Sequence, residues 1–222
     1  MVKVGFICEG DCEKFMLDSP AFQQILVNNN IQFVTAINAA GNGNLLPKYL
    51  ENYRSLLKAQ GAEKIFIIAD LETDPCFTTA KSRIGALPGE IVVIARKQFE
   101  AWILADNNLM GFLTKEPGFS FEFPENEEVP FQTIRKIVLE KAGQGVGTTK
   151  TIFSRRAIQW GFSIENAAKH PNCPSANYFL NQLVAFSYRI SISSQIGMTW
   201  LIPFNIPSSF TFIHRNNCNS KA

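Results

Sequence analysis

Histidine is scarce in this chain of 222 residues, which contains two histidines and five cysteines, and no two cysteines form a CxxC pair. These ligands are too few and too scattered for a structural zinc site. Both histidines lie in the second half and no GxSxG motif is present, so a nucleophilic triad has no support. The glycine spacings of a P-loop and of a dinucleotide-binding turn are missing as well. The sequence therefore disfavours zinc, serine-hydrolase and dinucleotide chemistry.

Targeting signals and an excess of one charge are also lacking. The first residues have neither the charged region nor the apolar core of a signal peptide, and an odd number of cysteines suits a reducing cytosol. Lysine and arginine total 21 against 19 acidic residues, a net charge of +2. That balance neither favours nor excludes nucleic acid, because a local basic face is still possible. With 46% hydrophobic residues, we expect a folded cytoplasmic protein.

The first hundred residues alternate between strand-like and helix-like patterns. Residues 2–8 form a nearly continuous apolar run, typical of a strand that is buried on both faces. The pattern predicts further strands at 32–37, 64–69 and 91–95, and intervening helices at 13–29, 45–59 and 77–84. This βαβαβαβ order predicts an α/β fold with a mostly parallel sheet and right-handed crossovers.

The second half is predicted to be helical. The spacing of apolar residues indicates helices at 99–113, 131–142, 148–160, 163–169 and 175–186, with an acidic loop at 117–130. No Asp or Glu occurs after Glu165, and the apolar stretch 190–213 contains two prolines and several polar residues, which argue against a membrane span. We expect an α/β domain over 1–115, a helical extension packed on it over 116–187, and a separable apolar tail over 188–222.

Two predicted strands end on carboxylates. The first runs into Glu9, and the third runs into Asp70, which Glu72 follows two residues later. The carboxyl ends of neighbouring parallel strands meet at one edge of a sheet, so these acids are expected to lie close together. In an extended segment residues i and i+2 point the same way, so Asp70 and Glu72 can face one ion. The sequence therefore predicts a Mg²⁺ or Mn²⁺ site and, without metal, at least one acid with a raised pKa.

Structural interpretations stay open beside this one. Glu9 and Gly10 also suit a simple turn at a strand end, and a carboxylate such as Glu13 near a helix N-terminus is favoured by the helix dipole without any function. Asp74 precedes Pro75 in a pattern typical of a helix cap. We therefore predict that Asp74 is a cap.

Residues after the fourth predicted strand add a further candidate. Glu100 lies near the acidic site if this strand neighbours the third, and Arg96 and Lys97 can meet phosphates there. The same residues also fit an ordinary helix start with exposed basic side chains. Asp106 is expected either to cap the next helix or to face solvent.

A glycine-rich turn over 143–147 precedes Lys150. Such turns expose backbone N–H groups that suit anions, and the helix that follows carries Arg155 and Arg156. A basic helix end that binds a phosphodiester and a plain solvated helix are both compatible with this pattern.

These motifs together resemble the TOPRIM superfamily, in which a Glu-Gly pair follows the first strand and an Asp-x-Asp follows the third. Here Glu9-Gly10 and Asp70-Leu71-Glu72 stand at those places, with a longer Glu as the second acid. An EGDxEK start and a later KxxEAW resemble a group of uncharacterised bacterial TOPRIM-like proteins. The matching residues are Glu9, Gly10, Asp11, Glu13, Lys14, Gln98, Glu100, Ala101 and Trp102.

Over residues 1–186 the chain is also similar to the nuclease domain of OLD-family nucleases in abortive phage defence. That resemblance implies two acidic clusters, two metal ions and a helical lysine. The implied metal ligands are Glu9, Glu13, Asp70, Glu72 and Glu100. The implied catalytic residues are Glu9, Asp70, Glu72 and Lys150. The residues expected to contact phosphates of nucleic acid are Lys14, Arg96, Lys97, Arg155 and Arg156.

The expected activity is Mg²⁺- or Mn²⁺-dependent hydrolysis of phosphodiester bonds in DNA or RNA. One alternative is a non-catalytic TOPRIM-like subunit of a defence complex, in which the acids hold a structural ion. Another is a phosphatase or nucleotidyl-transfer enzyme with a small substrate. A shallow groove with basic rims favours a polymer, whereas a closed pocket favours a small molecule. Any ATPase partner is expected to be a separate chain, and a homodimer is compatible.

Overall fold

The computed structural model describes residues 1–72 and 74–195, with side chains placed through residue 185. The strands in this part are β1 (Val2–Cys8), β2 (Ile31–Asn38), β3 (Lys64–Asp70) and β4 (Ile91–Ala95). The helices of the first half are α1 (Asp11–Leu17), α2 (Pro20–Asn28), α3 (Pro47–Ala59), α4 (Phe77–Ile84), α5 (Glu100–Ala105) and α6 (Asn107–Thr114). Those of the second half are α7 (Pro130–Ala142), α8 (Lys150–Gln159), α9 (Ile164–Lys169) and α10 (Pro174–Gln195).

The four strands form one parallel sheet in the order β2-β1-β3-β4. The carboxyl ends of β1 and β3 are therefore neighbours, with Cys8 paired with Ile68. The next strand, β4, pairs with β3 so that Ala95 lies opposite Asp70. The predicted α/β class with a parallel sheet is confirmed, and the arrangement is consistent with a TOPRIM-like fold.

Helices cover both faces of the sheet. Successive side chains of a strand point to opposite faces. Phe6 and Phe66 therefore pack in one cluster with α1, α2 and helices of the second half, while Ile7 and Ile67 pack with α3 and α4. All four side chains are fully buried, and each such burial contributes about 1.5–3 kcal/mol. This packing holds the carboxyl ends of the strands in fixed positions.

The helical second half shares this core. The ring of Phe179 in α10 lies 6.2 Å from that of Phe66 and 5.8 Å from that of Trp102. Trp102 Nε1 donates to Ser175 Oγ at 2.6 Å, and Ser175 donates in turn to the buried carboxylate of Glu125. Glu125 belongs to the segment predicted as a loop, which contains only a short 3₁₀ turn. The extension is therefore anchored to the sheet by aromatic packing and a buried hydrogen-bond chain.

One long helix predicted over 13–29 is two helices in the structure. Ser19 caps α2, since its Oγ accepts from the N–H of Phe22 at 3.2 Å. Pro20 supplies the first residue of α2, a position where its missing N–H costs nothing. The prediction of a continuous helix is therefore wrong, because a cap and a proline outweigh the apolar periodicity.

The predicted helix 99–113 is also divided, at Asp106. The carboxylate of Asp106 accepts from the N–H groups of Asn108 and Leu109 at 3.1 Å each, which caps α6. It also accepts from the N–H of Ser163 at 2.8 Å and is fully buried. The expected cap is confirmed, and the alternative that Asp106 faces solvent is wrong.

Helix α10 continues to Gln195, past the helix end predicted at residue 186. Residues 196–222, which make up most of the predicted apolar tail, lie outside the described residues. Among the helices of the described ranges, none combines the length and apolar character that crossing a bilayer requires.

Candidate metal centre

Two neighbouring strands place Glu9 and Asp70 side by side. Glu9 follows β1, and its Oε2 accepts from the backbone N–H of Asp70 at 3.0 Å. Asp70 ends β3, and its Oδ1 accepts from the N–H of Phe99 at 2.8 Å. One oxygen of each carboxylate is thus held by the backbone. The other oxygens, Glu9 Oε1 and Asp70 Oδ2, accept no hydrogen bond from the described residues and are left for a ligand.

Glu72 reaches the same place through a turn. It lies beyond the end of β3 with φ at 44°, in the left-handed region that non-glycine residues rarely adopt. Its N–H donates to the carbonyl of Lys97 at 3.1 Å, which ties the turn to the segment after β4. The expected convergence of Glu72 with Asp70 is found, but the predicted reason, alternation along an extended strand, is wrong. A left-handed turn brings the two carboxylates together.

Glu9, Asp70 and Glu72 form the acidic trio. Each offers one carboxylate oxygen, and these oxygens lie within 4.8 Å of one another. A single point then lies within about 2.8 Å of all three, close to the roughly 2.0–2.6 Å of bonds between oxygen and Mg²⁺ or Ca²⁺. Hard anionic oxygens are also the donors that Mg²⁺ and Mn²⁺ prefer. The trio therefore fits a divalent ion, and the exposure of Glu72 leaves one side open to solvent.

Burial and mutual repulsion disfavour the charged forms of these acids. Burial, with a further contribution from the charge on Glu72, raises the pKa of Glu9 to about 7. Burial also raises the pKa of Asp70 well above its usual value, and repulsion from Glu13, Glu9 and Glu100 adds to the rise. A divalent ion reverses such shifts, because it stabilises the charged carboxylates. The raised pKa values agree with the sequence-based expectation for a metal-free site.

Glu13 and Glu100 lie beside the trio as a separate buried pair. Burial first, and then the charges on Glu100 and Glu9, raise the pKa of Glu13 to about 7. Glu13 Oε2 accepts from the N–H of Gly10 at 3.1 Å, while Glu100 Oε2 lies 3.2 Å from Lys150 Nζ. Within the described part of the chain, the oxygens of these two carboxylates do not belong to the group of closely spaced oxygens that the acidic trio forms. The structure thus divides the five predicted metal ligands into an open trio and a buried pair.

Lys150 is held at the start of α8, next to the acidic residues. Thr149 caps this helix by accepting from the N–H of Ile152 at 3.3 Å. Burial lowers the pKa of Lys150, but the charges on Glu100 and Asp70 outweigh burial and leave the pKa above its ordinary value. The ammonium group is therefore charged at neutral pH and offers a fixed positive charge at the site.

Asp74 does not cap helix α4, which begins at Phe77. Its Oδ2 accepts instead from Arg83 Nε at 3.1 Å and from Arg83 Nη2 at 2.7 Å. The predicted cap is wrong, because Cys76 occupies the N-cap position of α4 and two charge-assisted hydrogen bonds from Arg83 hold the carboxylate of Asp74. Sequence reasoning missed Arg83, whose charge also lowers the pKa of Glu9.

Three of the five predicted phosphate contacts are engaged by other side chains. Lys14 pairs with Asp18, and Lys97 pairs with Glu128 at 2.6 Å. The guanidinium of Arg155 lies 4.7 Å from the centre of an aromatic ring in α1. These contacts hold the three cations without nucleic acid.

The other two predicted phosphate contacts border cavities. Arg96 is exposed at a cavity of about 280 Å³ that Glu125 also lines. Arg156 lines a larger groove between α7 and α8. The two arginines therefore belong to different surfaces.

Asn42 is a further polar residue at the trio that sequence reasoning missed. Its Nδ2 donates to Glu72 Oε2 at 3.1 Å, and its Oδ1 is buried without a hydrogen-bond partner among the described residues. A usable signal was its position directly after β2, at the sheet edge where β1 and β3 also end.

Comparison with known proteins adds little to this geometry. No protein-family model matches the chain, and no curated protein matches it. Two solved structures are similar, both of the C-terminal region of the OLD protein of Xanthomonas campestris pv. campestris, one phased with iodine and one with platinum. The iodine structure has 15% identity and a TM-score of 0.30 over 84% of this chain and 97% of that chain. The platinum structure has 15% identity and a TM-score of 0.31 over 87% and 95%. Likeness at this level transfers no activity or residue role.

Proposed function

We propose that the protein is a Mg²⁺- or Mn²⁺-dependent phosphodiesterase of the nuclease type, acting on nucleic acid. The observation that carries this proposal is the meeting of three carboxylate oxygens within 4.8 Å at the carboxyl edge of a parallel sheet. Two of the three acids have raised pKa values, which is the electrostatic state that a divalent cation relieves.

The residues of the site have distinct roles in this proposal. Glu9 and Asp70 hold the ion in a fixed place, because the backbone N–H groups of Asp70 and Phe99 orient their carboxylates. Glu72 completes the site from its exposed turn and leaves room for a substrate. A bound divalent ion supplies a polarised phosphoryl oxygen and a water of lowered pKa.

Lys150 and the buried pair complete the proposed machinery. The ammonium of Lys150 stabilises negative charge that develops on the phosphoryl group. Glu13 and Glu100 offer two more carboxylates beside the trio, and we propose them as ligands of a second ion. This assignment is supported by their burial and by their charge coupling to Asp70.

Metal binding and hydrolysis test the proposal directly. At pH 8 the protein is expected to bind Mn²⁺ by calorimetry and to cleave labelled DNA or RNA oligonucleotides only with metal. At a metal concentration 100 times Kd, the free energy of unfolding is expected to increase by about 2.7 kcal/mol, since the ion binds only the folded trio. Ca²⁺ and EDTA serve as comparison conditions. Failure to bind Mn²⁺ contradicts the proposal, and binding without hydrolysis of any diester favours the non-catalytic subunit.

Replacing Lys150 with Gln is expected to lower kcat by about 10²-fold, because one fixed positive charge at the phosphoryl group is lost. The affinity for Mn²⁺ at pH 8 is expected not to fall, since Lys150 is not a ligand and its positive charge repels the ion. Lys150 also lowers the pKa of Glu9 and of Asp70, so the pH at which Mn²⁺ binds is expected to move upward in this variant. Single-turnover hydrolysis and calorimetry at several pH values measure both effects.

The control for Lys150→Gln is Lys150→Arg, which keeps the charge beside Glu100. It is expected to retain the wild-type pH dependence of metal binding. An unchanged kcat in Lys150→Gln contradicts a role for this residue at the reacting group.

A further inference from the structure

Between α7 and α8 lies an open groove of about 590 Å³ that the proposed reaction does not use. We call it the α7–α8 groove, and it is defined by Arg135, Lys136, Gly145, Gly147, Thr148 and Arg156. Its three charged lining residues are all cations, and no acidic residue is among the residues that line it. The net charge of the whole chain is only +2, so this groove is a concentrated positive surface on a nearly neutral protein.

The three cations of the groove are not neutralised by ion pairs with the residues that the structure describes. Within the described ranges, no carboxylate lies within ion-pairing distance of Arg135, Lys136 or Arg156. Lys97 and Lys141, in contrast, are both paired with glutamates. Three cations that share one groove repel one another, and a polyanion in the groove relieves that repulsion.

One groove cation is already oriented. The guanidinium of Arg135 donates to Gln132 Oε1 at 3.1 Å and lies 5.6 Å from the centre of the Phe131 ring. These contacts hold the planar guanidinium above α7 and leave its charge unneutralised. An arginine held in this way loses less entropy when it binds a phosphate.

The backbone of the glycine-rich turn adds hydrogen-bond donors. The N–H groups of Gly145 and Gly147 have no acceptor in the described part of the chain. Gly147 has φ at 134°, and an added Cβ there lies 3.3 Å from Cγ2 of Ile152. A glycine is therefore favoured at this position by its backbone conformation and by close packing against α8.

The groove adjoins the candidate metal centre. Thr148 lines the groove, and Lys150, two residues later, contacts Glu100. Two residues of extended chain span at most about 7 Å. A polymer in the groove is thus within a short distance of the acidic residues.

We propose that the α7–α8 groove binds the sugar–phosphate backbone of a nucleic-acid strand, an inference that rests on the proposed nuclease function and names its substrate as a polymer. Cations and backbone N–H groups contact phosphates without reading bases. The apolar residues that line the groove are Leu139, which is 60% exposed, and Val146, which is buried. Binding is therefore independent of base sequence and strongly dependent on salt.

The test measures binding without metal, so that hydrolysis plays no part. Fluorescein-labelled strands of about 16 nucleotides, as single-stranded DNA, duplex DNA and RNA, are titrated in EDTA with wild type and with the triple variant Arg135→Gln, Lys136→Gln, Arg156→Gln. The variant is expected to bind at least 30-fold more weakly. The slope of log affinity against log salt is expected to fall by about 2 to 3, since three phosphate contacts are lost. The strand type that the wild type binds most tightly, among single-stranded DNA, duplex DNA and RNA, identifies the substrate class.

The matched control removes three exposed lysines elsewhere, Lys3→Gln, Lys48→Gln and Lys58→Gln. Lys3 lies at the amino end of β1, and α3, which carries the other two, packs on the opposite sheet face. This control is expected to keep at least half of the wild-type affinity. Equal losses in both triple variants, or an unchanged salt slope in the groove variant, overturn the proposal. Lack of binding by the wild type to all three strands overturns it too.

A small diester separates failure of the groove from failure of the proposed function. Bis(p-nitrophenyl) phosphate is too short to use the groove, so the groove variant is expected to hydrolyse it with Mn²⁺ at the wild-type rate. Hydrolysis of this diester by a wild type that binds no strand contradicts only the groove. Groove-dependent strand binding by a protein that hydrolyses no diester supports the groove and contradicts the nuclease function.

Discussion

Asp70→Asn is expected to abolish metal-dependent hydrolysis while leaving the protein at least as stable as the wild type. Asn keeps the oxygen that accepts from the N–H of Phe99, so the local backbone contact survives. It removes the anionic oxygen left for the ion and the charge that Glu9 and Glu13 repel. We expect a loss of at least about 10³-fold in kcat/KM, which corresponds to about 4 kcal/mol of transition-state stabilisation.

A second buried aspartate provides the control. Asp106 is also buried and has a raised pKa, but it caps α6 and accepts from the N–H of Ser163. Asp106→Asn is expected to keep metal binding and hydrolysis and to lower the free energy of unfolding by about 1–3 kcal/mol, because a buried N–H loses its acceptor. Urea unfolding and Mn²⁺-dependent hydrolysis are measured for both variants. If Asp70 is a ligand, Asp70→Asn loses activity and keeps its stability, whereas Asp106→Asn keeps activity and loses stability. Retention of activity in Asp70→Asn contradicts the metal centre.

The metal-free protein is expected to lose stability as the pH rises from about 4.5 to about 7. In the folded state burial raises the pKa of Glu9 to about 7 from an ordinary 4.5, so the folded state binds more protons than the unfolded state in this window. The free energy of unfolding therefore falls as the pH rises. Complete ionisation of Glu9 accounts for a decrease of about 3 kcal/mol. The raised pKa values of Asp70 and Glu13 act in the same direction.

Mn²⁺ is expected to reverse this trend, because the ion binds the charged carboxylates and its affinity grows over the same pH range. Urea unfolding at pH 5, 6, 7 and 8, in EDTA and in Mn²⁺, measures both effects. Other groups also titrate: the lowered pKa of His170 makes stability increase with pH. The difference between wild type and Glu9→Gln therefore isolates the trio, since Gln keeps an acceptor for the N–H of Asp70. Without metal, the free energy of unfolding of the wild type minus that of Glu9→Gln is expected to fall as the pH rises. An increase of this difference with pH contradicts the raised pKa of Glu9.

Local patterns were sufficient for the sheet and for two acids of the trio. The buried strands are continuous apolar runs, and parallel order follows from helices between them, so the carboxyl ends of β1 and β3 are predictable neighbours. Glu9 directly follows β1 and Asp70 ends β3, so the sequence was sufficient to predict that these two acids lie side by side. Helix ends were less predictable, because apolar periodicity alone ran through the caps at Ser19 and Asp106.

The sequence by itself determined the α/β class, the edge of the sheet that carries the acids and the identity of the acids, because these depend on hydrophobic periodicity and on residues adjacent to strand ends. Only the tertiary structure decided which of these acids form the open trio and which form the buried pair. The hydrogen bond from Asn42 to Glu72 joins residues 30 positions apart, and the pairing of Glu100 with Lys150 joins residues 50 positions apart. The left-handed turn at Glu72 is itself tied to Lys97 of another segment. Such contacts depend on how separate elements pack, and no local pattern records that packing. The same reason applies to the α7–α8 groove, where cations from two helices form one surface only after the helices pack together.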